Sequence, residues 1–142
     1  MSQSENIDRG ANAAVHPSFR PSFREALGRA EEQVEYDYII FDGVLAPSLV
    51  CEVCMIMAEV YLMDPGNPVR ISGEWLNSHV VQEVFSQITR EHVEMVIKEF
   101  CRLTCDIRNK KAYLRTALYN SVFSIDAHYR NRVNYDMSRR QN

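Results

Sequence analysis

The chain has 142 residues, with 16 Lys and Arg against 19 Asp and Glu, so its formal net charge is −3. This length predicts one domain with a tail, and a hydrophobic content of 46% excludes wholesale disorder. No run of 18 uncharged apolar residues is present, and the first ten residues lack an apolar signal core. We therefore expect neither a membrane-spanning nor a secreted protein, and predict a cytoplasmic one.

The net charge conceals an uneven distribution along the chain. Residues 1–96 contain 6 basic and 15 acidic residues, for a charge of −9, whereas residues 97–142 contain 10 basic and 4 acidic residues, for a charge of +6. Such asymmetry is typical of a protein that contacts a polyanion at its basic end. The other interpretation is that the two blocks neutralise each other across the folded surface.

Residues 1–34 are predicted to be a flexible acidic and polar tail. Residues 1–23 lack apolar periodicity, and the following EALGRAEEQVE is helix-prone but acidic, with few apolar residues to bury. The tail contains a tandem Pro-Ser-Phe-Arg over residues 17–24. Its exposed Phe-Arg pairs are either a docking motif for a partner or a neutral duplication. The candidate partner-binding residues are Phe19, Arg20, Phe23 and Arg24.

Residues 35–137 predict a mainly α, compact domain of five to six helices with one small β-hairpin, followed by a basic tail at 138–142. A nearly continuous apolar helix starts at Pro47 and ends at Leu62, and the hairpin covers residues 69–76. Further helices are expected after four N-caps: Asn77, Thr89, Asn109 and Ser124. Their predicted inward faces are Val80, Val81, Val84, Phe85 and Ile88; Val93, Val96, Ile97 and Phe100; Leu114, Ala117, Leu118 and Val122; and Ile125, Tyr129, Val133 and Met137.

Four cysteines form two closely spaced pairs, Cys51/Cys54 and Cys101/Cys105. Such spacing can hold zinc, but both pairs lie in predicted apolar helices, which favours core packing over metal or redox use. No phosphate-binding loop or hydrolase motif is present, and the histidines are scattered, with His79 and His92 expected at exposed helix ends. We therefore expect no enzymatic activity, no catalytic residues, no metal and no cofactor.

The basic end carries the predicted nucleic-acid contacts. Arg108, Lys111, Arg115 and Tyr119 have helical spacing that predicts one stripe opposite the apolar face. Cationic groups beside an aromatic ring can contact phosphates and stack on a base, with salt-sensitive binding and weak sequence preference. A solvated polar face that balances the acidic half is the alternative. The full candidate set is Arg108, Lys110, Lys111, Arg115, Tyr119, Arg130 and Arg132.

The run Asn109–Asn120 (NKKAYLRTALYN), with Ser124–Tyr129 and Val133–Met137, resembles the C-terminal helical domain of replication initiator A proteins from Firmicutes plasmids and integrative elements. Glu35–Tyr38, Val69–Ile71 and Thr89–His92 follow the same order of elements. Through Ala112-Tyr113-Leu114 the chain is more distantly similar to the DnaD primosomal domain, although Ser121 stands where that pattern has an aromatic residue. The family's winged-helix domain is expected to be absent here.

The resemblance implies a role in DNA replication on a mobile element, with DNA as a ligand bound with weak sequence preference and a replication protein as a further partner. The alternative is a free-standing inhibitor of a host RNA-guided nuclease, of the anti-CRISPR type. It would act by nucleic-acid mimicry through its acidic half, including Glu31, Glu32 and Glu35, or by occluding the nucleic-acid channel. A third hypothesis is self-association through the tail phenylalanines, which would give a homo-oligomer.

Overall fold

The computed structural model describes residues 22–103 and 105–124. Their helices and single two-stranded antiparallel hairpin confirm the predicted mainly α fold. The elements are α1 (Phe23–Gln33), α2 (Tyr36–Asp42), α3 (Pro47–Tyr61), β1 (Pro68–Ile71), β2 (Glu74–Asn77), α4 (Ser78–Phe85), α5 (Arg90–Arg102) and α6 (residues 110–124). In this part of the chain, no helix is long and apolar enough to cross a membrane.

Helix α3 lies at the centre of the core. It begins at Pro47, as predicted, because a proline at the first helical position has no amide hydrogen to leave unpaired. Seven of its side chains are buried, which accounts for its nearly continuous apolar sequence: Val50, Val53, Cys54, Ile56, Met57, Ala58 and Val60. Helices α1, α2, α4 and α5 all pack against it.

Helix α1 differs from the tail predicted for residues 1–34. Ser22 starts it with a reciprocal capping box, in which the Ser22 hydroxyl accepts from the Glu25 amide and the Glu25 carboxylate accepts from the Ser22 amide. Ala26, Ala30 and Val34 are buried. The exposed side of the helix carries charges of both signs, and small residues let its other side approach α3 closely, so the packed domain includes α1.

Local caps start the later helices where the sequence predicts them. Asn77 accepts a hydrogen bond from the His79 amide at 2.8 Å, and Asn109 accepts one from the Ala112 amide at 3.0 Å. The predicted inward face of α4 is wrong at Val80, which is 47% exposed. Ser78 is buried instead, because its hydroxyl donates to the Asp64 carbonyl at 2.8 Å and so finds a partner inside the protein.

Helix α6 buries Leu114, Leu118 and Val122 as predicted, while Ala117 is only partly buried. Helix α5 starts at Thr89 and buries Val93, Val96 and Ile97, with Phe100 partly covered. The helix predicted after Ser124, with Ile125, Tyr129, Val133 and Met137 inward, lies outside the described residues, as do most of the predicted N-terminal tail and the basic C-terminal tail.

Candidate nucleic-acid interface

The hairpin presents a cationic and an aromatic side chain on its outer face. In the antiparallel register Arg70 stands opposite Trp75, and the alternation that buries Val69 and Ile71 turns Arg70 toward solvent. The Arg70 guanidinium lies 5.1 Å from the centre of the Trp75 ring, a cation–π arrangement. Because Trp75 is 62% exposed, its indole contributes little to the core and is accessible to a ligand.

The turn of the hairpin is attached to α6. Ser72 and Gly73 both have positive φ angles, 54° and 81°, as a tight two-residue hairpin turn requires. The Ser72 amide donates to the Thr116 hydroxyl at 3.2 Å. A cleft of about 470 Å³ lies between turn and helix. Its lining residues are Arg70, Ser72, Gly73, Asn109, Ala112, Tyr113, Arg115 and Thr116.

The cleft carries positive charge alone. Arg70 and Arg115 are the charged residues among those that line it, with no carboxylate beside them. The Arg115 Nε is buried and has no hydrogen-bond partner within the described part of the chain. A buried donor without an acceptor is unfavourable by about 1–3 kcal/mol, and the two guanidinium groups that line the cleft are donors of the kind that bind anionic oxygens. The cleft therefore has the chemistry of a site for a phosphate or a similar anion.

Two of the predicted cationic contacts are engaged elsewhere. Lys110 Nζ lies 2.8 Å from Glu52 Oε1, and Lys111 Nζ lies 3.0 Å from Glu59 Oε2, so both lysines pair with carboxylates of α3. The predicted single stripe along α6 is therefore divided, because Lys111 faces α3 whereas Arg115 lines the cleft beside the hairpin. These pairs are half exposed and each contributes at most about 1 kcal/mol to stability.

The remaining predicted residues are Arg108 and Tyr119 beside or on α6, Phe23 and Arg24 on α1, and four residues outside the described ranges. Arg108 is exposed just before α6. Tyr119 is partly buried against the core, with its ring centre 5.5 Å from that of Phe123, so it is not a free stacking surface opposite the core. Of the predicted partner-binding residues, Phe23 and Arg24 form the exposed first turn of α1. Phe19, Arg20, Arg130 and Arg132 lie outside the described residues.

Sequence reasoning missed Arg70, Trp75 and the cleft itself. The hairpin was predicted, and its alternation already put Arg70 on the outer face. Pairing Arg70 with Trp75 follows from a two-residue turn at Ser72-Gly73, which sets the register. The proximity of Arg115 to the hairpin had no signal in the sequence, because 45 positions separate Arg70 from Arg115.

The cysteines are all free thiols with contrasting environments. Cys54 is fully buried in α3, and burial, with a smaller effect of Glu31 and Cys51, raises the pKa of its thiol to about 12. Core packing is confirmed for Cys54 and wrong for Cys101 and Cys105, which are both exposed. Cys101 lies on α5 outside its buried face of His92, Val93, Val96 and Ile97, and Cys105 lies beyond the end of that helix at Arg102. Within the described ranges, no group of three or more His, Cys, Asp and Glu side chains could hold a metal ion.

His92 is buried rather than exposed, whereas His79 is exposed as predicted. The Nδ1 of His92 accepts a hydrogen bond from the Thr89 amide at 2.8 Å, which places the imidazole in the role that glutamate or glutamine has in a capping box. An accepting Nδ1 requires the ring proton on Nε2 when the imidazole is neutral. Its position explains His92 as a structural residue at the start of α5.

A second cleft has the opposite charge. It measures about 520 Å³ and lies between the C-terminal half of α1 and the start of α2. Four carboxylates and two tyrosines contribute to its lining, and its residues are Gly28, Glu31, Glu32, Glu35, Tyr36, Asp37 and Tyr38. The three glutamates that the sequence identified as candidates for mimicry thus share one cleft.

Comparison with known proteins gives a family and no function. The sequence profile of DUF6017, a family of unknown function, matches residues 5–140, so the chain belongs to this family. No curated protein and no solved structure matches the chain.

Proposed function

We propose that this protein is a non-enzymatic nucleic-acid-binding domain that contacts DNA through the cleft between the hairpin and α6. The observation that carries the proposal is a cleft with two arginines and no carboxylate in a chain whose net charge is −3. Guanidinium groups bind phosphate oxygens in bidentate fashion, and the Arg115 Nε–H has no acceptor among the described residues.

Trp75 extends the proposed contact from phosphate to base. Its exposed indole, with Arg70 on one side, can stack on an unpaired base, and stacking contributes about 1–3 kcal/mol per base with little dependence on sequence. Phosphate contacts add affinity that is likewise independent of sequence. The proposed binding is therefore weakly sequence-specific and favours single-stranded DNA over duplex.

The biological setting is supported by sequence resemblance. Similarity to the C-terminal domain of replication initiator A proteins supports a role in the replication of a mobile element, in the cytoplasm, together with a replication protein. The hairpin that supplies Arg70 and the helix that supplies Arg115 both fall within segments that carry this resemblance.

The test is fluorescence anisotropy with a labelled single strand and the matching duplex at 50 and 200 mM salt. Two phosphate contacts predict a loss of affinity of about tenfold between these conditions. The doubly substituted Arg70→Ala/Arg115→Ala protein should bind at least about tenfold more weakly than wild type at the lower salt. Arg115→Lys keeps the charge and tests the guanidinium, with circular dichroism to check folding.

A charge-matched control distinguishes the cleft from general electrostatics. Lys110→Ala/Lys111→Ala also removes two positive charges, but these charges already pair with Glu52 and Glu59. We expect a loss of no more than about threefold, because screened charges at a distance contribute weakly. Equal losses for the arginine and lysine variants, or no binding by the wild type at 50 mM salt, would refute the proposal.

A second candidate function is inhibition of an RNA-guided nuclease, and the convergence of Glu31, Glu32 and Glu35 in one cleft favours it. Carboxylates in such an array can stand in for phosphates in a cationic channel. Co-expression should then protect a target DNA from cleavage. Glu31→Lys/Glu32→Lys should abolish protection, whereas reversal of an exposed glutamate on α4, Glu83→Lys, should not; protection by both variants would reject this function.

A further inference from the structure

Helix α2 and the residues after it expose large apolar side chains to solvent. Phe41 is 91% exposed, Val44 66% and Tyr38 51%. Tyr38 and Phe41 are three positions apart on the helix and therefore share a face, and Val44 follows directly after the Gly43 cap. We call these three residues the α2 face.

The fold does not need the α2 face. Ile39 is the buried residue of α2, and Leu45 anchors the following loop. Phe41 therefore contributes little to core packing, and its ring exposes apolar surface to water at a position where a polar side chain would be better solvated. Clustered exposed apolar side chains of this size commonly mark a protein interaction site rather than a free surface.

The surroundings of the α2 face are strongly acidic. Between Arg29 and Arg70 the sequence has eight acidic residues and neither lysine nor arginine. Lys110 and Lys111 from α6 neutralise Glu52 and Glu59, both on α3. The ion pairs found within residues 22–103 and 105–124 leave four carboxylates near α2 unneutralised, and these are Glu31, Glu32, Asp37 and Asp42.

Arg90, a basic residue at the start of α5, contacts both Tyr38 of the α2 face and the neighbouring Glu35. The Arg90 guanidinium lies 4.1 Å from the centre of the Tyr38 ring and 3.7 Å from Glu35. Tyr38 is thereby held against α5, whereas the Phe41 ring is 91% exposed and makes no aromatic or cation–π contact with the other described residues. An apolar anchor point thus stands next to the acidic cleft that Glu31, Glu32 and Asp37 line.

We propose that the α2 face is a docking site for a partner protein, in which a segment rich in lysine and arginine carries one large apolar side chain. The apolar side chain would pack on Phe41 and Val44, and its cationic neighbours would face the carboxylates of the acidic cleft. Charge complementarity identifies this occupant, because nucleic acid and an anionic membrane surface would be repelled by the same carboxylates.

Docking at the α2 face is independent of DNA binding at the hairpin cleft. None of the residues that line the hairpin cleft belongs to α1, α2 or the loop after α2. Failure of the DNA-binding test would therefore leave the docking proposal intact, and the converse also holds.

The experiment measures anisotropy of labelled synthetic peptides on the full chain. The first probe is an amphipathic peptide of lysine and leucine; the second replaces leucine by serine, and the third replaces lysine by glutamate. We expect the first probe to bind, and both others to bind at least about tenfold more weakly, because both the charge and the apolar anchor are required.

Phe41→Ala should weaken binding of the lysine–leucine probe by about fivefold or more, as removal of an interface anchor does. Because Phe41 is almost fully exposed, the substitution leaves the core untouched. Phe123→Ala is the matched control, since Phe123 is 55% exposed on α6, and it should leave the affinity unchanged.

Three results would overturn the proposal. Equal affinity of wild type and Phe41→Ala would mean that the apolar anchor is not used. If the serine-substituted probe bound as tightly as the lysine–leucine probe, binding would depend on charge alone and not on an apolar anchor. A concentration-dependent dimer in sedimentation that Phe41→Ala abolishes would make a second copy of this chain the occupant, since the tandem Phe-Arg motif has the same chemistry.

Discussion

Two glutamine side chains connect the ends of helices that are distant in sequence. Gln33 Nε2 donates to the carbonyls of Phe85 and Ile88 at 2.9 and 2.8 Å. Gln82 Nε2 donates to the carbonyls of Val60 and Met63 at 2.9 and 3.0 Å. The Phe85 and Val60 carbonyls also accept from the Ile88 and Met63 amides, so the glutamine amides add a second donor there. The same amides supply donors to the Ile88 and Met63 carbonyls, which follow the helix ends.

Gln33→Ala should lower the free energy of unfolding by about 1–3 kcal/mol, because the Ile88 carbonyl loses its Gln33 donor and the Phe85 carbonyl keeps just the Ile88 amide and the Tyr61 hydroxyl. The Tyr61 hydroxyl, which lies 2.5 Å from Gln33 Oε1, loses a partner as well. Urea unfolding measures the change. Gln87→Ala is the control, since Gln87 is exposed, and it should change stability by less than about 0.5 kcal/mol. Equal effects would contradict the capping role.

The thiol of Cys54 makes stability depend on pH. Its pKa is raised from 9.0 to about 12 chiefly by burial, so the folded state favours the protonated form. This contribution is complete below pH 9 and is lost as the pH rises toward 12, because the unfolded chain releases the proton more readily. Cys54→Ala should therefore lose less stability than wild type between pH 9 and pH 11, as measured by urea unfolding. Parallel pH profiles would contradict this expectation.

At the scale of elements, α1 shows how an acidic segment joins a core. Its buried side chains are small, with Ala26 and Ala30 against α3, so hydrophobicity summed along the segment is low. The capping box at Ser22 starts the helix, and its C-terminal end is held by the buried Val34 and by the hydrogen bond from Gln33 to the Phe85 carbonyl. A composition-based prediction therefore assigns the segment to a tail, while close helix packing assigns it to the domain.

Gly28→Ala should stabilise the protein by about 0.5–1 kcal/mol. Gly28 lies inside α1, and an added methyl group would meet no atom within 4 Å, so the gain comes from the reduced entropy of the unfolded chain. Thermal or urea unfolding measures it. Ala30→Leu is the opposite case, because Ala30 is fully buried and overpacking should destabilise by about 1–3 kcal/mol. A destabilised Gly28→Ala protein would show that α1 is not an ordinary helix in solution.

At the scale of the whole molecule, the charge blocks of the sequence meet in part and separate in part. Lys110 and Lys111 cross to α3 and neutralise Glu52 and Glu59, which is the balancing that one interpretation of the composition predicted. Arg70 and Arg115 remain together in one cleft, and the carboxylates near α2 remain together in another. The described part of the chain therefore contains a cationic recess and a separate anionic recess.

If the two recesses act separately, single substitutions should affect one ligand at a time. Trp75→Ala should weaken the binding of single-stranded DNA by at least about fivefold, because a stacking contact is lost, and should leave the affinity for the lysine–leucine peptide unchanged. Phe41→Ala should do the reverse. Anisotropy on the same two protein preparations measures both affinities, and a variant that loses both ligands would indicate a shared surface or a misfolded chain, which circular dichroism separates.

The sequence predicted the fold well and the candidate site in part. Pro47, Asn77, Thr89 and Asn109 each start a helix as expected. For the site, Arg115 was identified, whereas Arg70 and Trp75 were not. Helical spacing predicts that Lys111 lies beside Arg115, but it does not show where Glu59 lies. The position of Glu59 decides that Lys111 forms its ion pair with α3 instead.

What the sequence alone determined are features that depend on neighbours within about four residues: the starts of α3, α4, α5 and α6, the Ser72-Gly73 turn and most of the apolar faces. The tertiary structure decided which long polar side chain meets which partner. Gln33 reaches acceptors 52 and 55 positions away, and Lys111 reaches a carboxylate 52 positions away. Periodicity shows which face of a helix is buried; it does not show which element lies opposite, and that element sets both the ion pairs and the clefts.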